Sequence, residues 1–179
     1  MAQRYEIRFS GAGGQGLITA GIILAEAASI NEGKHAVQSQ SYGPEARGGA
    51  SKSEVIISDE PIDYPKATVV DACLAMTQES ADKYANGIKP GGVLLIDSDF
   101  VKNVPEGDFN VVKIPIMRTA KEDIGREIVA NVVALGAMIA LTDVVSREAG
   151  LKAVLAKVPE AFLDLNEKAY SVGFEKVKE

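Results

Sequence analysis

Three glycines at fixed spacing mark the segment of the sequence best suited to bind a ligand. Residues 5–16 read YEIRFSGAGGQG, an alternating strand pattern followed by a turn that contains Gly11, Gly13 and Gly16. In a strand–turn–helix unit, such glycines permit a tight turn, close approach of a ligand to the backbone and close packing of the helix on the strand. The start of the following helix adds unpaired N–H groups, which favour an anion. The pattern predicts a phosphate-binding turn.

The identity of the ligand is left open by the residues around this turn. A Walker-type phosphate loop requires Lys and then Ser or Thr after its last glycine, but Leu17 and Ile18 follow here. An NAD or FAD site needs an acidic residue at the end of the second strand, where residues 38–40 are Gln, Ser and Gln. Two interpretations remain. In one, backbone amides or a second subunit hold a phosphate-bearing ligand, and in the other the glycines serve packing alone.

A second segment, SYGPEARGGA at residues 41–50, combines glycines and a proline with side chains that can make specific contacts. Arg47 offers a planar fork for a carboxylate or a phosphate, and Glu45 can hold Arg47 or meet a cation. Because the segment follows the predicted second strand, we expect it at the same edge of the sheet as the glycine turn, where open α/β sheets bind ligands. A surface loop with a local ion pair is the alternative.

The candidate site joins these two segments to one amide in an apolar helix. Asn131 is the only amide in residues 127–142, and a buried amide without a hydrogen bond costs on the order of 1–3 kcal/mol. We expect Asn131 to bond a neighbouring backbone turn, or to support the glycine turn or a partner interface. The complete set of candidate ligand-binding residues is Gly11, Gly13, Gly14, Gln15, Gly16, Ser41, Tyr42, Glu45, Arg47 and Asn131.

Composition excludes several classes of function. The 179 residues carry 19 basic and 25 acidic side chains, a formal charge of −6, so nucleic-acid binding is not expected. The single cysteine, Cys73, can neither form an internal disulfide nor hold an iron–sulfur cluster alone, and we expect a buried core thiol. With neither a secretory leader nor a membrane-length apolar run, the sequence predicts a cytoplasmic protein.

Alternating strand and helix patterns predict one α/β domain over residues 1–179. We expect a Rossmann-like open sheet with helices on both faces and a helical C-terminal third. The apolar surface of residues 127–142 exceeds what one sheet face can cover, so we expect another chain to bury part of it or the glycine turn beside it. Further predicted strands are residues 35–39, 53–58, 68–76, 93–97 and 110–115, with a turn at 89–92. Predicted helices span residues 17–31, 78–86, 127–142 and 160–178. Two further helices are predicted by their caps, one capped by Thr119 and Glu122 and one by Ser146.

Four segments in the same order resemble the gamma subunit of the 2-oxoacid:ferredoxin oxidoreductases. They are GAGGQGLITAGIILAEAA, SYGPEARGGASKSEVIIS, KPGGVLLIDSD and GREIVANVVALGAMIALT, and the resemblance spans residues 5–142. Members of that family oxidatively decarboxylate a 2-oxoacid to its acyl-CoA and pass two electrons to ferredoxin. The complete enzyme uses thiamine diphosphate with magnesium, coenzyme A (CoA) and iron–sulfur clusters.

The resemblance implies an accessory subunit that has no catalytic residue of its own and is inactive alone. The chain lacks the Gly-Asp-Gly segment of thiamine sites, so thiamine diphosphate, magnesium and the clusters are expected in alpha, beta and delta partner subunits. The candidate residues would line a CoA-facing or subunit-facing edge, and a homodimer would substitute for the partners in isolation. The pattern favours 2-oxoglutarate, with indolepyruvate or pyruvate enzymes as variants. A stand-alone nucleotide-binding domain and a structural scaffold are the alternatives from other classes.

Overall fold

A six-stranded mixed sheet organises the chain in the computed structural model, which describes residues 4–44 and 49–178. The strand order is β2-β3-β1-β4-β5-β6. The strands β1, β4, β5 and β6 are parallel, whereas β3 is antiparallel to both β1 and β2. The strands are β1 (Arg4–Ala12), β2 (His35–Ser41), β3 (Ala50–Ser58), β4 (Val70–Ala75), β5 (Ile88–Asp97) and β6 (Phe109–Ile114).

Helices cover both faces of this sheet unequally. The larger apolar core lies between the sheet and α1, α4, α5 and α6, whereas α2 packs over a smaller core on the other face. The predicted α/β class, the open sheet and the helical C-terminal third are confirmed. The helices are α1 (Leu17–Glu26), α2 (Gln78–Tyr84), α3 (Ile116–Arg118), α4 (Ala130–Thr142), α5 (Arg147–Lys157) and α6 (Leu163–Lys176). Wider π-helical turns extend α1 over Ala27–Asn31 and α3 over Thr119–Ile124.

The helix α4 is almost wholly apolar and is buried by its own chain. Most of its length packs between the sheet and α6. The two helices touch through glycines, because a Cβ at Gly136 would collide with the backbone of Tyr170, and one at Gly173 with the carbonyl of Val133. The sheet and α6 thus cover most of α4, whereas Ile128, just before it, is 84% exposed. The expectation that another chain buries part of residues 127–142, or the glycine turn beside them, stays a prediction.

Two local predictions are wrong for identifiable reasons. The predicted turn at residues 89–92 lies inside β5, where the left-handed Gly91 (φ 76°) accompanies a shift in the pairing with β4. The predicted cap at Thr119 lies within a helix that begins at Ile116. There the buried Asp97 carboxylate accepts the N–H of Met117 at 2.8 Å. A long-range side chain thus caps this helix in place of the local Thr119.

The predicted cap at Ser146 is confirmed. Its hydroxyl accepts the N–H of Ala149, three residues along α5, at 3.1 Å.

No helix in the described residues is both long enough and apolar enough to span a membrane.

Cys73 lies in β4 and is fully buried, as the sequence predicts. Burial raises the pKa of its thiol to about 11, with the charge of Arg8 opposing the shift. The raised pKa and the lack of access both suppress the reactive thiolate.

We therefore expect the folded chain to be inert to a thiol-specific colour reagent at pH 8. In guanidinium chloride the same sample should release one equivalent of chromophore per chain, which serves as the internal control. Rapid stoichiometric reaction of the folded chain would contradict the buried position of Cys73.

Candidate functional site

The glycine turn joins β1 to α1 and is closed largely by its own hydrogen bonds. The N–H of Ala12 donates to the side-chain carbonyl of Gln15 at 2.8 Å, and the N–H of Gln15 returns to the carbonyl of Ala12 at 3.3 Å. The N–H of Gly13 donates to the carbonyl of Gly49 at 3.2 Å. The amide oxygen of Gln15 therefore shapes the turn, and the Gly13 N–H is already occupied.

Other N–H groups in and after the turn have no acceptor in the described part of the chain and could bind an anion. The cap residue of α1, Gly16, has φ 75° and makes no side-chain capping bond, and the first helical turn carries no acidic side chain. Helix geometry leaves the first N–H groups of α1 without acceptors inside the helix. Among the described residues, the N–H groups of Gly14 and Gly16 also have no acceptor. Several donors at the positive end of one helix are thus available to a negative ligand.

A concave volume of about 240 Å³ lies over these donors. The exposed Tyr42, just beyond β2, and Ser51 of β3 form its far wall. We call this volume the cradle. It is lined by Ala12, Gly13, Gly14, Gly16, Leu17, Ile18, Tyr42 and Ser51.

The structure confirms that the glycine turn and the end of β2 share one edge of the sheet. They meet because β3 pairs with both β1 and β2, so Ala50 lies opposite Ala12 while Lys52 lies opposite Ser41. Ser41 ends β2 outside the cradle. Ser51 was missed by sequence reasoning, since its place follows only from the antiparallel pairing of β3.

Glu45 and Arg47 lie outside the described residues, so their contacts with a ligand or a partner stay predictions. Asn131 is placed clearly. Its side-chain N–H₂ donates to the carbonyl of Gly16 at 3.2 Å, and its oxygen accepts the N–H of Val132 at 3.0 Å. The expectation that Asn131 bonds a neighbouring backbone turn is confirmed, and that turn is the glycine turn.

The glycines of the motif have different physical roles. A Cβ at Gly11 would lie 2.7 Å from Leu17 and 3.0 Å from Met76, and one at Gly16 would lie 2.7 Å from the Asn131 amide nitrogen. These two residues are required by packing. Gly14 has φ 88° and open space where a Cβ would stand, so its backbone is bare on the solvent side.

The described residues contain no cluster of three or more His, Cys, Asp or Glu side chains that could hold a metal ion. The cradle combines backbone donors with the side chains of Tyr42 and Ser51 and with an apolar part formed by Ala12, Leu17 and Ile18. Its backbone donors at a helix start are chemically suited to an anion.

Comparison with known proteins identifies the family of the chain. The model of the family described as pyruvate ferredoxin/flavodoxin oxidoreductase matches residues 6–176. The chain belongs to this family. A curated relative, 2-oxoglutarate synthase subunit KorC of Methanocaldococcus jannaschii, is 53% identical over 98% of this chain and 95% of its own length.

Two solved structures share the fold. The gamma subunit of a keto/oxoacid ferredoxin oxidoreductase from Geobacter sulfurreducens is 66% identical with a TM-score of 0.92, covering 98% of this chain and 97% of that one. The 2-oxoglutarate:ferredoxin oxidoreductase from Magnetococcus marinus, with 2-oxoglutarate, coenzyme A and succinyl-CoA bound, is 24% identical with a TM-score of 0.85. The match covers 98% of this chain but 31% of that longer one. In size and sequence the present chain is a gamma-type subunit of this oxidoreductase family.

The contact between Gly16 and Asn131 generates a test by double substitution. Gly14→Ala should cost about 1–2 kcal/mol of unfolding free energy, the ordinary penalty of a left-handed non-glycine residue. Gly16→Ala should cost more, because its Cβ also meets Asn131. In an Asn131→Ala background, the cost of Gly16→Ala should fall towards that of Gly14→Ala, a coupling of about 0.5–3 kcal/mol.

Denaturant unfolding of the four chains of this cycle, with Gly14→Ala as the matched control, measures the coupling. Strictly additive costs for the substitutions at positions 16 and 131 would show that the two residues do not constrain each other.

Proposed function

We propose that this chain is the gamma subunit of a 2-oxoglutarate:ferredoxin oxidoreductase, in which its cradle contacts CoA. The observation that carries the proposal is the 53% identity to a 2-oxoglutarate synthase subunit along nearly the whole of both chains. The complete enzyme would convert 2-oxoglutarate and CoA to succinyl-CoA and carbon dioxide. One proton would be released and two electrons would pass to ferredoxin.

The chemistry of this chain supports a role outside the redox steps. Its single cysteine is buried in β4, and its described residues offer no metal cluster. We assign thiamine diphosphate, magnesium and the iron–sulfur clusters to alpha, beta and delta partner subunits, and expect the isolated chain to be inactive. A buried free thiol suits the reducing cytoplasm, where we place the enzyme.

The cradle supports the CoA contact through its charge preference. CoA carries a pyrophosphate and a further phosphate, and backbone N–H groups at a helix start favour such groups without a lysine. Tyr42 adds an exposed ring and hydroxyl on the opposite wall. Glu45 and Arg47, which follow Tyr42 closely in the sequence, are proposed to complete this edge.

The assignment is tested by anaerobic purification of an affinity-tagged chain from its native cells. We expect thiamine- and cluster-bearing subunits to co-purify, with CoA-dependent dye reduction that is faster with 2-oxoglutarate than with pyruvate or indolepyruvate. A preference for either alternative acid would reassign the substrate. A chain that purifies alone and without activity would refute the subunit role.

The CoA contact is tested by Ile18→Asp, with Ile18→Asn as a neutral control of similar shape. Ile18 lines the cradle in the first turn of α1. A carboxylate there stabilises the helix start by about 0.3–1 kcal/mol, so folding should not suffer. It should nevertheless repel phosphate groups, and we expect the aspartate enzyme to have a KM for CoA about tenfold above that of the asparagine enzyme, equivalent to ~1.4 kcal/mol.

Raising the salt concentration should reduce the difference in KM for CoA between the Ile18→Asp and Ile18→Asn enzymes, because added ions screen the introduced charge. Equal KM values for CoA in the two variants would remove the cradle from the CoA site while leaving the subunit assignment intact.

A further inference from the structure

A second concavity lies beside the cradle, on the helical side of the molecule. Its volume is about 350 Å³, and its walls come from α1, the approach to α4, and the connection from α5 to α6. We call it the lateral groove. Its apolar wall includes Ile23, Ile128, Val132, Phe162 and Leu165.

Two large apolar side chains of the groove are left in solvent by the fold. Ile128 is 84% exposed and Phe162 is 50% exposed, and each lies in a short 3₁₀ turn just before α4 or α6. Single exposed apolar residues are common, but two that rim one apolar concavity are typical of an interaction surface. Asn131 also lines the groove while it bonds Gly16, so this surface adjoins the cradle directly.

The charges around the groove are uneven. Lys157 is paired with Glu26 at 2.7 Å. Arg126, which also lines the groove, has no acidic partner among the described residues. A guanidinium beside an apolar wall matches a partner that presents apolar side chains together with a carboxylate, since arginine and buried apolar anchors carry much of the energy of protein interfaces.

The occupant follows from the charge and from the longer chain that shares this fold. In the Magnetococcus enzyme, the matched region is 31% of one polypeptide, so the remainder is covalently attached to it. A separate chain must hold the corresponding neighbour by surface contacts alone. A second copy fits poorly, because a two-fold axis through the groove would set one concave surface against the other and bring Arg126 near its own symmetry mate.

We infer that the lateral groove docks an apolar, carboxylate-bearing segment of the partner subunit that corresponds to the rest of that longer chain, which we call the catalytic subunit. Ile128 and Phe162 pack against this segment, and Arg126 pairs with its carboxylate. The inference rests on the proposed function, and it identifies the surface by which this subunit joins the assembly.

The test compares tagged Ile128→Asp with Ile30→Asp in anaerobic purification from the native cells. Ile30 is a matched control, since it is 74% exposed and does not line the groove. We expect at least a tenfold loss of co-purified catalytic subunit for Ile128→Asp and little loss for Ile30→Asp, with the same melting temperature for both isolated chains. Arg126→Glu should also weaken assembly, whereas Lys152→Glu, on the exposed side of α5, should not.

Distinct outcomes would overturn the inference. Equal recovery of the catalytic subunit by Ile128→Asp and Ile30→Asp would refute docking at the groove while the subunit role stands. Normal assembly with a raised KM for CoA would make the groove part of the substrate site. Loss of a self-dimer without loss of the catalytic subunit would assign the groove to a second copy. Recovery of the tagged wild-type chain without any catalytic subunit would refute the proposed function itself.

Discussion

The burial of α4 is the constraint on which the other features depend. A helix with almost no polar side chain must be enclosed on all sides, and here the sheet and α6 enclose it. The enclosure requires backbone contact between the two helices, which Gly136 and Gly173 permit. Once α4 is fixed, its first turn is fixed as well. Asn131 then meets Gly16 on one side, and Ile128 is held in solvent on the other.

Within the glycine motif, some residues fix the shape of the turn and others leave backbone groups exposed to a ligand. Gly11 and Gly16 let neighbouring side chains pack against the turn, and Gln15 closes it from inside. Only Gly14 and the start of α1 are left with bare backbone facing outwards. A binding surface of this kind needs no charged side chain of its own, because its donors are main-chain groups that cannot change rotamer. Its precision therefore derives from packing beneath the turn.

Sequence patterns predicted the class of fold, the glycine turn and most helices, because these depend on local periodicity and on residues close together in the chain. They also placed the two motif segments at one edge, since strand direction decides that. The position of β3 between β1 and β2 depends on pairing between distant residues, which local sequence patterns do not predict. For the same reason the place of Ser51 in the cradle was missed. The false cap at Thr119 has the same origin, since Asp97 reaches that helix from a distant strand.

The lateral groove draws its walls from both ends of the chain. Ile23 belongs to α1, near the N-terminus, whereas Phe162 and Leu165 come from the last fifth of the sequence. During synthesis the N-terminal strands and α1 leave the ribosome well before Phe162 and Leu165, so this surface is completed late. A chain cut short before residue 157 would lack one wall of the groove, together with the helix α6 that encloses α4. The groove thus requires the chain as far as Asn166, and the same C-terminal segment that completes the core also completes this surface.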